Sequence, residues 1–136
     1  MKNDISAIGN ALVDTVFKVE HSLISELGLE IDQMTLSSAE EHVPIIERLI
    51  ASGADTVSDC GGSATNSLVA AASFGAKCFH ICKVSEDQDG LRYLKSLKEA
   101  GVDHKGNTAS ANSVPTGKCL ILVTPDAKRT MTTALN

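Results

Sequence analysis

The sequence predicts an α/β fold on three observations. Short apolar or alternating runs recur at 4–9, 12–19, 77–84 and 116–123, segments with helical spacing lie between them, and glycines close most runs. Strands alternating with helices build layered α/β sheets. The 136 residues suit one domain, which usually holds about 100–150. With 43% hydrophobic and 21% charged residues, the chain has a globular rather than a disordered composition.

Residues 4–9 read as a short buried strand broken by Gly9-Asn10, and 12–19 as a second strand with one polar side. His21 to Leu27 form a short helix capped by Gly28. Residues 31–36 are read as extended. Ser37 or Ser38 opens the next helix, because Ser38 and Glu41 have capping-box spacing. That helix reaches about Ser52 and stops at Gly53, with Val43, Ile46, Leu49 and Ile50 on one face. Pro44 falls in its second turn and is expected to shorten or bend it.

Residues 55–59 form a short strand, which Gly61-Gly62 interrupt. Ser63 or Thr65 is the expected cap of a helix over 64–74, ended by Gly75, whose Ala70, Ala71 and Ala72 permit close packing on a sheet. Residues 77–84 are apolar enough for a central parallel strand. A helix over 87–100 carries Leu91, Leu94, Leu97 and Lys98 and stops at Gly101. Residues 107–113 read as a polar loop. Strands at 116–123 and 129–134 flank the turn PDAK as a hairpin. The sequence stops just after a strand, which leaves an open sheet edge and points to a longer protein.

Composition excludes several classes. Twelve basic and seventeen acidic residues give a net charge of −5 with no basic stripe, against nucleic-acid or anionic-membrane binding. No apolar run approaches the roughly 20 residues that span a bilayer, and the N-terminus lacks a secretory pattern. Aromatic residues are 3%, too few for a base-stacking platform. Cys60, Cys78, Cys82 and Cys119 form no CxxC pair, and Cys78 and Cys82 sit about 13 Å apart along a strand. They are read as reduced and structural, with the cytoplasm as the expected compartment. A thiol or metal protein is the weakest alternative. His21, His42, His80 and His104 show no ligand spacing and are read as structural or surface residues, so no metal site is expected.

GGSATN at 61–66 is the most informative segment. Two glycines let backbone approach a ligand, and the helix behind them offers free N–H groups and a positive dipole end. Asn66 can donate and accept, which suits a sugar hydroxyl. These residues are equally those of a tight βα turn with Ser63 as cap. Neither GxGxxG nor a Walker A string occurs.

From Gly61 to Gly90, the segment GGSATNSLVAAASFGAKCFHICKVSEDQDG resembles the N-terminal signature of the PfkB, or ribokinase-like, carbohydrate and nucleoside kinases. AIGNALVD resembles that family's first strand, and PTGKCLILVTPDAKRTM its paired strands. Asp32-Gln33, the GNxLxD opening and the GGS start favour the adenosine kinase branch. The resemblance implies a three-layer ribokinase-like, Rossmann-like core with a small β-sheet lid, truncated to its N-terminal part. Residues 1–136 would form part of a single kinase domain, with lid strands near 13–19, 31–35, 55–59 and part of 107–133.

It further implies that Asp14, Gly61, Gly62 and Asn66 bind sugar hydroxyls. Asn10, Gln33 and Ser63 would contact a nucleoside, and Met131 and Thr133, on the same side of their strand as Arg129, would line its pocket or belong to the core. Asn10 as turn chemistry, Gln33 as a surface amide and Ser63 as a helix cap are the competing structural readings. Arg129 would approach the phosphates on lid closure, or pair with Asp126 in the turn. The implied activity is ATP- and Mg2+-dependent phosphorylation of a primary hydroxyl, of adenosine first and of ribose or fructose as alternatives. The family's D-T-x-G-A-G-D string, with its general base, is absent from this sequence. The chain alone is therefore expected to be inactive and to have no catalytic residue beyond Arg129. A non-catalytic sugar- or nucleoside-binding module is the remaining alternative. The expected partner is a small nucleoside or sugar, without nucleic acid or membrane, in a monomer or a lid-mediated homodimer.

Overall fold

A computed structural model describes residues 2–109 and 114–135. Its elements run β1 (Ile5–Ile8), β2 (Leu12–Lys18), α1 (His21–Glu26), β3 (Met34–Ser37), α2 (Ala39–Ala51), β4 (Thr56–Gly61), α3 (Ser63–Ser73), β5 (Cys78–Ser85), α4 (Gln88–Glu99), β6 (Val102–Ala109), β7 (Lys118–Val123) and β8 (Arg129–Ala134). The alternation expected of an α/β protein is present. The chain divides into two compact units, each with its own core.

The first unit comprises residues 2–13 and Cys60–Gly117. Its sheet is parallel in the order β1-β5-β6. Cys78, His80, Cys82 and Val84 alternate inward on β5 and pack with Leu68 of α3 and Tyr93 and Leu97 of α4. The small face of α3, including Ala71 and Ala72, lies against this core. β1 is not buried as expected: Ile5 and Ile8 are exposed, because only its inward residue Ala7 meets the helices. β6 replaces the first part of the expected loop, pairing with β5 over eight residues from Val102 to Ala109. The remaining positions of that loop, 110–113, lie outside the described residues.

The second unit comprises Asp14–Asp59 and Lys118–Leu135. Its sheet has the order β3-β8-β7-β2-β4, with β7 and β8 the expected hairpin. Phe17, Leu120 and Leu122 face Leu23, Ile24 and Leu49 of α1 and α2. Ser38 and Glu41 close the capping box of α2. Pro44 lies inside α2, which continues past it and forgoes one backbone bond. The buried face of α2 is rotated from the expected one. Val43 and Ile50 are exposed, whereas His42, Ile46 and Leu49 turn inward, because His42 bonds Thr132 on β8.

Candidate functional site

The expected site residues fall in both units. Asn10, Gly61, Gly62, Ser63 and Asn66 belong to the first, and Asp14, Gln33, Arg129, Met131 and Thr133 to the second.

In the first unit, β4 ends at Gly61 and Gly62 is the N-cap of α3, with φ of +103°. A Cβ at Gly62 would stand 2.6 Å from the Asn10 carbonyl oxygen, so this position requires glycine. The bend and the β1–β2 turn are thereby brought into contact. Ser63 is the first helical residue rather than the cap, and no side chain caps this end of α3. Gly62 as N-cap offers no side-chain acceptor to the leading N–H groups of α3. Asn10, Ser63 and Asn66 are all exposed.

In the second unit, the β7–β8 register puts Val123 opposite Arg129, Ile121 opposite Met131 and Cys119 opposite Thr133. Arg129, Met131 and Thr133 therefore share one face, while on the other Thr130 accepts from the Asp32 N–H and Thr132 bonds His42 of α2. Thr133 is buried and donates to Cys119 Sγ at 3.3 Å. On β3, Met34 and Leu36 pair with Met131 and Thr133 and extend the same face as exposed apolar groups. Gln33 is exposed, and its carbonyl accepts from the Met131 N–H at 2.8 Å. Phe17 points to the core, so Asp14, three residues earlier, points to the opposite face. Burial pushes the Asp14 carboxyl above its ordinary range, Arg129 opposes that rise and Asp59 adds to it.

Asp59 and Cys119 were not expected here. Alternation along β4 and the pairing of Cys119 with Thr133 are what reveal them. Asp126 is not the partner of Arg129. It accepts from Thr124 at 2.6 Å, a bond that lowers its carboxyl, and pairs with His21 at 3.0 Å. A cavity of about 690 Å3 opens among Lys18, Ser22, Arg48, Asp55 and Thr124, and none of the expected site residues lines it. Among the described residues, no group of three or more His, Cys, Asp or Glu side chains could hold a metal ion, and no helix is long and apolar enough to cross a membrane.

Comparison with known proteins places this geometry in a family. The profile described as "pfkB family carbohydrate kinase" matches residues 29–136. An adenosine kinase from Sinorhizobium meliloti is similar over 99% of this chain and 40% of its own, with 30% identity and a TM-score of 0.81. A probable sugar kinase from Rhizobium etli is similar over 98% and 39%, with 27% identity and a TM-score of 0.80. Anopheles gambiae adenosine kinase in complex with P1,P4-di(adenosine-5) tetraphosphate is similar over 96% and 38%, with 25% identity and a TM-score of 0.81. This chain thus spans about 40% of the length of these structures. No curated protein matches it. The fold is the ribokinase-like α/β fold of those kinases, and the chain belongs to the pfkB family of carbohydrate kinases.

Proposed function

We propose that this chain is the acceptor-binding part of an ATP-dependent phosphotransferase acting on a primary hydroxyl, with the 5′-hydroxyl of adenosine as acceptor. The observation that carries this reading is Asp14, a half-buried carboxylate offset by Arg129 on a sheet face that also bears Met34, Leu36 and Met131. Its two oxygens can accept from neighbouring ring hydroxyls, and the apolar side chains suit a flat base. In the first unit, Gly61, Gly62 and Asn66 would offer backbone N–H groups and an amide to sugar hydroxyls. Likeness to two adenosine kinases supports adenosine. Likeness to a probable sugar kinase supports a second reading, with ribose or fructose as acceptor.

In the proposed reaction a bond forms between the acceptor oxygen and the γ-phosphorus of ATP. The terminal anhydride bond breaks, ADP leaves, and the hydroxyl proton passes to a base outside this chain. Mg2+ would screen phosphate charge when bound, and Arg129 is the cation on this face suited to meet the transferring group. The five-stranded sheet would act as a lid that excludes water. By itself the chain would bind acceptor without phosphorylating it.

Calorimetric titration with adenosine, ribose and fructose tests the reading. Adenosine is expected to bind and Asp14→Ala to abolish its heat. An Asp14→Ala chain that binds like the parent would overturn the site assignment.

A further inference from the structure

A buried chain of hydrogen bonds lies beneath the Gly61–Gly62 bend. Tyr93 of α4, fully buried, bonds Thr65 of α3. Thr65 Oγ1 is 3.2 Å from Nε2 of His80 on β5, and His80 Nδ1 is 3.3 Å from the Ala7 carbonyl on β1. A carbonyl only accepts, so Nδ1 carries the proton and Nε2 is the acceptor. One of the two hydroxyls donates to Nε2, Thr65 at 3.2 Å or Tyr93 at 3.4 Å, and the other donates within the Tyr93–Thr65 bond. The Tyr93 hydroxyl also stands 3.5 Å from the Gly61 carbonyl.

The two ends of this chain meet the two turns of the candidate site. Ala7 leads into Gly9-Asn10. Thr65 lies three residues beyond Gly62, and its hydroxyl would be 3.4 Å from a Cβ placed there. A Cβ at Gly9 would meet Ala64 Cβ at 2.6 Å and His80 Cε1 at 3.7 Å, so His80 sits directly under the junction. Burial and the facing His104 of β6 both disfavour charge on His80, although the Ala7 carbonyl opposes them. Neutral imidazole is the form the chain requires. A valine, leucine or phenylalanine packing of the same volume would close this core without any directional tie between the turns.

We propose that Tyr93, Thr65 and His80 are positioning residues that lock the β1–β2 turn to the glycine bend and so set the place of Asn10, Gly62 and Asn66 for the acceptor. This deepens the proposed function and rests on it for the identity of the ligand. None of the three side chains needs to touch the ligand.

The test uses Tyr93→Phe, Thr65→Val and Thr65→Ser in the full chain, with adenosine calorimetry and amide hydrogen exchange. Tyr93→Phe and Thr65→Val are expected to weaken adenosine about tenfold and to speed exchange at 9–11 and 61–66 selectively, while Thr65→Ser restores both. Exchange needs no ligand, so it separates the two readings. Normal exchange and parent-like affinity in Tyr93→Phe and Thr65→Val overturn the positioning role, even if Asp14→Ala abolishes binding. Faster exchange confined to those turns, with no adenosine binding by the parent, upholds the lock and overturns the adenosine reading. Should a variant fail to fold, the exchange of Thr65→Ser decides: loosened turns despite a retained hydroxyl overturn the proposal.

Discussion

The guanidinium of Arg129 offsets part of the burial penalty on the Asp14 carboxylate, across a sheet in which one strand, β7, lies between theirs. The remaining penalty, with Asp59 adding to it, keeps the Asp14 carboxyl raised. The folded state thus holds a proton that the unfolded chain releases near its ordinary range of about 4. Stability from this group is present below that range and falls as pH rises through the raised value. Asp14→Asn is therefore expected to stabilise the fold at pH 7, by no more than about 1 kcal/mol because the group is half solvated. It should also weaken acceptor binding about ten- to hundredfold, since hydrogen bonds to charged groups contribute about 1.5–3 kcal/mol. Urea unfolding at pH 4 and 7, beside calorimetry, measures both. A variant less stable at pH 7 than the parent contradicts the penalty.

Two buried histidines give the opposite slope. Burial lowers His42 and His80, with Lys118 adding to the first and His104 to the second. The unfolded chain takes up protons near pH 6.5, where these folded imidazoles still refuse them. Their stability contribution is complete above that pH and declines as the pH falls toward the lowered values. His42→Gln keeps a hydrogen-bonding side chain against Thr132 but removes the titration. It is expected to lose about 1–2 kcal/mol at pH 7.5, and to lose less than the parent between pH 6.5 and 5. Equal slopes in thermal unfolding across that range would remove His42 as a cause.

Legibility in the sequence followed the range of the interaction. The capping box at Ser38 and Glu41 is local and was readable. So was the βα junction, because at Gly62 only glycine tolerates the backbone. β6 was not readable. VDHKGNTA lacks an apolar alternation, and its strand character comes from pairing with β5. The phase of α2 is hidden from the sequence for a similar reason, since His42 is turned inward by Thr132, ninety residues away. At the candidate site, Asp14 and Arg129 could be named from motifs. The neighbouring Asp59 could not, because its effect on Asp14 arises only when β2 and β4 share a sheet.

Asp87 ties the start of α4 to the segment entering β7. Oδ1 accepts from the Gly90 N–H at 2.7 Å and from the Thr116 hydroxyl at 2.7 Å, and Oδ2 accepts from the Thr116 N–H at 2.8 Å. Loss of a helix cap removes about 1 kcal/mol, and a buried donor left unpaired costs about 1–3 kcal/mol. Asp87→Ala is thus expected to destabilise by about 2–4 kcal/mol. Thermal unfolding measures it, and a change below half a kcal/mol would show that water replaces the carboxylate.

Gly62→Ala tests the glycine bend without removing a polar group. Its φ of +103° lies where alanine is strained, at roughly 1–3 kcal/mol. The new methyl would also start 2.6 Å from the Asn10 carbonyl oxygen, which is backbone and cannot rotate away. The β1–β2 turn must therefore shift outward, and the Asn10 carbonyl with it. Expected outcomes are a loss of about 2–4 kcal/mol in unfolding free energy and adenosine binding weakened more than a hundredfold. Gly75→Ala separates strain from contact. It has a similar φ of +93° but open space around its Cβ, so it should lose stability alone and keep its affinity. If both variants bind equally well, the contact between Gly62 and Asn10 does not shape the site.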